Sequence, residues 1–261
     1  MSDWYRTEWG SGRTLVLLHG GGATSRTWTP VLDQLAMQRH VVAFDFPGFG
    51  RTPFPDNVEF TTDWLLGAFA DQLADAGIRT PVDIAGNSMG GWVALEAAKR
   101  GLARSVVALG PAGLWRNGMP PLLRAKFRAG LVGARLARGR EAAVLRSKVI
   151  RTVAFSQIAR QPSRIPVADA AGMLREFDLC RTAFEPILRV AKTVGFTGGH
   201  AITTPITVAY NSSERMLQLR TARDRSELPA HTRWVELPGC GHVPMWDAPG
   251  LVADTILLGT Q

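Results

Sequence analysis

Four short runs rich in Val, Leu and Ile carry no polar alternation: "TLVLLHG" (14–20), "HVVAFDF" (40–46), "VDIAGNS" (82–88) and "SVVALG" (105–110). A strand with one wet face alternates apolar and polar residues. A run that is apolar at both parities predicts a strand covered on both faces, as in parallel sheets. Amphipathic stretches of helical period separate the runs, over about 25–38, 62–77 and 88–100. Strand, helix, strand, helix predicts an α/β fold built on a doubly wound, mostly parallel sheet.

The alternation stops after "ALGPAGLW". A mainly helical pattern follows over 115–199, broken by Pro120, Pro121, Pro162, Pro166 and Pro186. Strands resume at "ITVAYN" (206–211) and "TRWVELP" (232–238), and a last helix is predicted over about 249–258. The expected organisation is one core domain, 1–114 with 200–261, interrupted by a helical insertion, 115–199. A chain of 261 residues is long enough to bury such a core.

Charge is concentrated in the insertion. Between Trp115 and His200 stand 16 Lys and Arg against 5 Asp and Glu, so the net charge of +8 belongs to this segment alone. Its arginines alternate with Leu, Ala and Val at helical spacing. The simplest reading is a solvated helical face. The sharper one is attraction to an anionic substrate, or peripheral contact with an anionic lipid surface. Nucleic acid is not expected, because no nucleic-acid motif accompanies the charge. No apolar run reaches the roughly 18 residues of a membrane span. The start, "MSDWYRTEWG", lacks the basic-then-apolar pattern of a secretory signal. Two distant cysteines, Cys180 and Cys240, suit a reducing, cytoplasmic setting.

"GNSMGG" (86–91) sits between a buried run and a helical one. Gly-x-Ser-x-Gly at that junction makes a sharp turn with Ser88 at its apex. The glycines let strand and helix approach closely, and the helix N-terminus points its N–H groups at the reacting centre. A serine hydroxyl needs a base to take its proton. Of five histidines, His19 follows a strand directly and reads as a brace for its loop, His40 opens a strand, and His200 and His231 lie in polar turns. His242, in "LPGCGHVPMWD", follows the last strand on a glycine-rich loop at the same sheet edge as Ser88, and is the expected base. The carboxylate that orients it is expected at Glu214, the first acid beyond "ITVAYN"; Asp224 and Asp247 are the other candidates. Asp247 is expected to start or cap the last helix. For an oxyanion, "HGGG" offers the Gly21 N–H and the turn offers the Met89 N–H.

With these pieces in order, the sequence resembles the α/β-hydrolase family over nearly its whole length. The matching motifs are "HGGG", "DFPGFG" (45–50), "GNSMGG", a helical insertion and "GCGH". The resemblance implies a triad of Ser88, Glu214 and His242 and an oxyanion hole from Gly21 and Met89. Substrate contacts are expected from Gly20, Gly22, Trp115 and Val243; no metal cluster is visible in the sequence, and hydrolysis by a triad needs no cofactor. The resemblance makes 115–199 a lid. The sequence departs from the family at the acid, where Asn211-Ser212-Ser213-Glu214 replaces the usual Gly-x-x-Asp. "GNSMGG" is similar to the turn of hydrolases that cleave carbon–carbon bonds of ring-fission dienoates, yet those carry Trp where this chain has Val243. Haloalkane dehalogenases and epoxide hydrolases of this fold use Asp at the nucleophile position, which here is Ser88. The expected function is hydrolysis of a small carboxylic ester or other acyl substrate. A C–C bond hydrolase is the alternative, and a ligand-binding module without turnover the third reading. Trp28, Trp92, Trp115 and Trp246, and Phe127, Phe155, Phe177 and Phe184 of the insertion, face either a pocket or the core.

Overall fold

The computed structural model describes residues 3–115, 118–217 and 223–261. Arg116 of the basic segment and 218–222 of the loop after Glu214 lie outside the described residues. Seven strands form one sheet: β1 (Arg6–Trp9), β2 (Thr14–Leu18), β3 (His40–Phe44), β4 (Val82–Asn87), β5 (Ala103–Leu109), β6 (Ile206–Asn211) and β7 (Arg233–Leu237). Their order is β1-β3-β2-β4-β5-β6-β7. β1 runs antiparallel to β3 and every other pairing is parallel.

The unalternated runs are explained by cover on both faces. Leu15, Leu17, Val41, Ala43, Ala85, Val107 and Leu109 pack into one core with helices α1 (Thr29–Ala36) and α9 (Pro249–Gly259). Their odd–even neighbours Val16, Leu18, Val42, Phe44, Ile84, Val106 and Ala108 pack into the other, with α2 (Thr62–Asp75) and α3 (Met89–Lys99). Period-two side chains thus serve two cores at once.

Between β5 and β6 the chain forms α4 (Pro121–Leu136), α5 (Glu141–Leu145), α6 (Lys148–Phe155), α7 (Val167–Leu179) and α8 (Arg181–Ala191). α4 and α8 join the α2–α3 core through Leu123, Leu131, Phe184 and Leu188. α5 to α7 gather a small core of their own around Leu145, Phe155, Ile165 and Ala170. Two polar clips hold this segment down. Asp247 accepts from the N–H groups of Arg160, Gln161 and Gly241 at 2.8 to 3.0 Å, and Val243 N–H donates to Ile158 O at 2.7 Å.

Four local expectations need correction. β1 was not foreseen, because a four-residue, half-exposed edge strand has no apolar run to announce it. The stretch 25–38 is a short 3₁₀ turn, Ser25–Trp28, and then α1, since Pro30 can donate no N–H and so begins a new helix. Pro186 does not break the pattern but sits inside α8, where buried Ala183, Phe184, Ile187 and Leu188 hold the helix across it. Asp247 neither starts nor caps α9, which follows Ala248; its carboxylate is spent on the three loop N–H groups.

Candidate active site

The chain runs from β2 outward to β3 and then crosses back to β4, so β2 and β4 lie side by side where the winding reverses. Ligand sites of open α/β sheets form at the carboxyl ends of strands at such a point. Here those ends deliver "HGGG" and Ser88.

Ser88 adopts φ 54° and ψ −113°, a left-handed conformation that a non-glycine residue holds only under constraint. The constraint is close packing. A Cβ on Gly86 would lie 2.2 Å from Gly90 O, and one on Gly90 would lie 2.1 Å from Leu18 O. β4, α3 and β2 therefore meet through bare backbone. Ser88 N–H donates to Leu109 O, and its carbonyl accepts from Trp92 and Ala112.

His242 Nδ1 stands 2.8 Å from Glu214 Oε2, with both side chains buried. The second oxygen, Oε1, accepts from the N–H groups of Met216 (2.7 Å) and Leu217 (3.0 Å). Burial pushes the Glu214 carboxyl up, but the His242 ring and these two N–H groups outweigh it and hold its pKa below the ordinary value. The rivals do other work. Asp247 makes the clip described above, and Asp224 Oδ1 accepts from Ser226 N–H in its own turn. Ser88 and His242 share a cavity wall, with no hydrogen bond between Oγ and the ring among the described residues. Catalytic contacts often tighten only with substrate bound.

The glycine loop passes directly over Ser88: a Cβ on Gly20 would touch Ser88 Cβ at 3.3 Å, and one on Gly21 would lie 3.7 Å from Met89 Sδ. Among the described residues, neither the Gly21 nor the Met89 N–H is committed to another group. His19 fixes this loop. Its Nε2 accepts from Phe46 N–H at 3.0 Å, so Nδ1 carries the proton and donates to Gly20 O at 2.7 Å. Complete burial lowers its pKa and keeps the ring neutral.

Sequence reasoning missed Asn87 and Asn211. Asn87 Nδ2 donates to both Leu109 O and His242 O at 3.0 Å, and Asn211 Nδ2 reaches His242 O at 3.4 Å. The signal was an amide at the end of each apolar run, since a fully buried polar side chain needs a partner.

Ser88 lies between two hollows. The larger, about 180 Å³, is walled by Gly20, Gly22, Phe127, Phe155, Phe177 and Val243, with Thr24, Thr27, Asn87, Gln157, Lys126 and Glu176 as its polar groups beside Ser88 and His242. The smaller, about 40 Å³, is walled by Trp92, Trp115, Phe184, Leu188 and Leu217. Gly21, Phe127 and Met216 border both. Trp28 is core and Trp246 packs against it. The helical segment's arginines do not reach the larger hollow; Lys126 is its one cation among the described residues, and Glu176 there is paired with Arg26 at 2.9 Å.

Comparison with known proteins agrees with this architecture. A model of the Alpha/beta hydrolase family matches residues 15–255. The chain belongs to the alpha/beta hydrolase family. It is 32% identical over 189 residues to "Epoxide hydrolase EphH" of Mycobacterium tuberculosis, covering 71% of this chain and 88% of that one. It is 37% identical over 112 residues to "2-hydroxy-6-oxo-6-(2'-aminophenyl)hexa-2,4-dienoic acid hydrolase" of Metapseudomonas resinovorans, covering 41% of this chain and 38% of that one. The solved structure of a serine hydrolase involved in carbazole degradation (CarC) superposes with a TM-score of 0.75 at 23% identity, over 98% of this chain and 93% of that one, a likeness of fold.

Proposed function

We propose that the chain is a serine hydrolase that cleaves carboxylic esters through an acyl-enzyme. The observation that carries this is the buried His242–Glu214 pair at 2.8 Å on the wall that also holds Ser88. In this reading Ser88 Oγ attacks the acyl carbon while His242 Nε2 takes its proton. Glu214 keeps Nδ1 protonated and stabilises the imidazolium. The Gly21 and Met89 N–H groups receive the oxyanion. His242 returns the proton to the departing alcohol, and a water activated by the same ring then releases the acid. Gly20, Gly22 and Val243 would contact one side of the ester and Trp115 the other. The helices of 115–199 serve as the lid. The chain needs no cofactor for this chemistry. Two buried thiols suit a cytoplasmic setting, and we place the chain there.

Epoxide opening by Ser88 would leave an ether, which an activated water does not cleave; a carboxylate nucleophile leaves a hydrolysable ester instead. The serine at the turn therefore favours acyl chemistry, despite the name of the Mycobacterium relative. A C–C hydrolase of keto-dienoates is the second reading, favoured by the Metapseudomonas relative. Its substrate carries a carboxylate, for which the cavity offers Lys126 rather than an arginine. The test is turnover of p-nitrophenyl esters and a ring-fission dienoate by the wild type and Ser88→Ala. Ester turnover that vanishes in a folded Ser88→Ala supports the first reading. Dienoate turnover with weak ester activity supports the second. Ester turnover retained in Ser88→Ala rejects the nucleophile.

A further inference from the structure

Two helices of the insertion turn apolar faces to water. On α4, Leu122, Ala125, Ala129, Val132 and Leu136 recur at three- and four-residue spacing, and all are exposed. The opposite face, with Leu123, Leu131 and Ala134, is the buried one. α6 is inverted: Arg151 and Phe155 are buried, while Val149 (74% exposed), Ile150 and Val153 (69%) face out. Arg151 donates through its two terminal nitrogens to the carbonyls of Leu145 and Ser163, which anchors the guanidinium on the inner face, while its buried Nε has no partner among the described residues. Seven of the ten large apolar side chains exposed among the described residues lie on this segment. Scattered apolar residues on a surface need no explanation, but stripes along two helices that line one cavity do.

Charge identifies the occupant. Four of the segment's five acids are engaged by arginines, in the pairs Arg26–Glu176, Arg128–Glu185, Arg138–Asp178 and Arg175–Glu141. Arg124 and Arg135 beside the α4 stripe, Arg146 at the end of α5 and Lys148 at the start of α6 have no acid partner among the described residues. Leu, Val and Ile bordered by unpaired cations is the pattern of a surface that lies in an anionic lipid interface. A second copy would set the same cationic excess against itself. The same two helices also roof the cavity beside Ser88, through Phe127 of α4 and Phe155 of α6.

We propose that the exposed faces of α4 and α6 dock on an anionic lipid surface, bringing the cavity to amphiphilic substrates. The test is flotation with vesicles of phosphatidylcholine alone or mixed equally with phosphatidylglycerol, at low and high salt. Wild type is expected to float with the anionic vesicles at least about tenfold more than with the neutral ones, and less at high salt. The triple variant Leu136→Ser/Val149→Ser/Val153→Ser is expected to lose at least about tenfold of that binding. Those side chains are exposed, so its melting temperature and its turnover of a short soluble ester should stay unchanged. Absence of wild-type binding to anionic vesicles overturns the proposal. So does equal binding by the triple variant, which would leave charge alone, or a wild-type dimer that the triple variant dissolves, which would make the face a self-association surface. Because flotation measures binding without turnover, failure here leaves the esterase reading untouched, and the reverse holds.

Discussion

Glu214→Gln tests most directly the proposed role of Glu214 as the orienting carboxylate. Glu214 uses Oε1 for two backbone N–H groups, at 2.7 and 3.0 Å, and Oε2 for His242 Nδ1 at 2.8 Å. A glutamine keeps one oxygen. If that oxygen stays with the backbone donors, the NH₂ faces Nδ1 and forces the ring proton onto Nε2, where it blocks uptake of the Ser88 proton. If the amide flips to restore the tautomer, two buried N–H groups lose their acceptor, at a cost of about 1–3 kcal/mol each. The productive arrangement is therefore disfavoured by about 2–6 kcal/mol, which is about 30- to 10⁴-fold in kcat at about 1.4 kcal/mol per factor of ten. Amidation of the analogous carboxylate in a serine protease costs about 10⁴-fold, the top of that range. The assay is kcat and KM on a p-nitrophenyl ester, with near-UV circular dichroism to show an intact fold. KM should change little. A loss below about tenfold, or a larger loss from Asp224→Asn or Asp247→Asn in a folded protein, would refute the assignment.

Gly90→Ala should cost about 3 kcal/mol or more, because its Cβ meets Leu18 O at 2.1 Å and backbone cannot yield. Gly67→Ala, on the exposed face of α2 with nothing within 4 Å, should instead stabilise by about 0.5–1 kcal/mol; thermal melts of the pair check both signs. Acid should weaken the fold in two steps. His19 and Glu214 both titrate lower when folded, so the unfolded chain binds more protons, and stability complete above each unfolded value is lost as pH falls. The His19 step opens below 6.5 and the Glu214 step below 4.5; urea midpoints followed downward from neutral pH should show both, and a flat profile would contradict the buried neutral His19. Burial pushes the Cys180 thiol up to about 12 and the Cys240 thiol up to about 11. Neither should label with iodoacetamide in the native protein at mildly alkaline pH, and both should label in denaturant.

The alternation of strands and helices, the turn at Ser88 and the loop at His242 were legible in the sequence because each is written locally. A strand covered on both faces needs apolar residues at both parities, and a sharp strand-to-helix turn needs glycines two residues either side of its apex. The carboxylate that pairs with His242 was not legible in that way. Glu214 and Asp224 follow β6 and Asp247 follows β7, all on loops, and side-chain identity alone does not say which carboxylate faces His242 and which caps backbone N–H groups. That is a matter of distance across the fold, as is the bracing of His242 by Asn87 from 155 residues away. The helical insertion shows the same limit. Its mixture of arginine and aliphatic residues was plain, but helical period tells only that faces differ, not which one turns inward. Only packing against the core decided that Arg151 is buried while Val149 and Val153 meet the solvent.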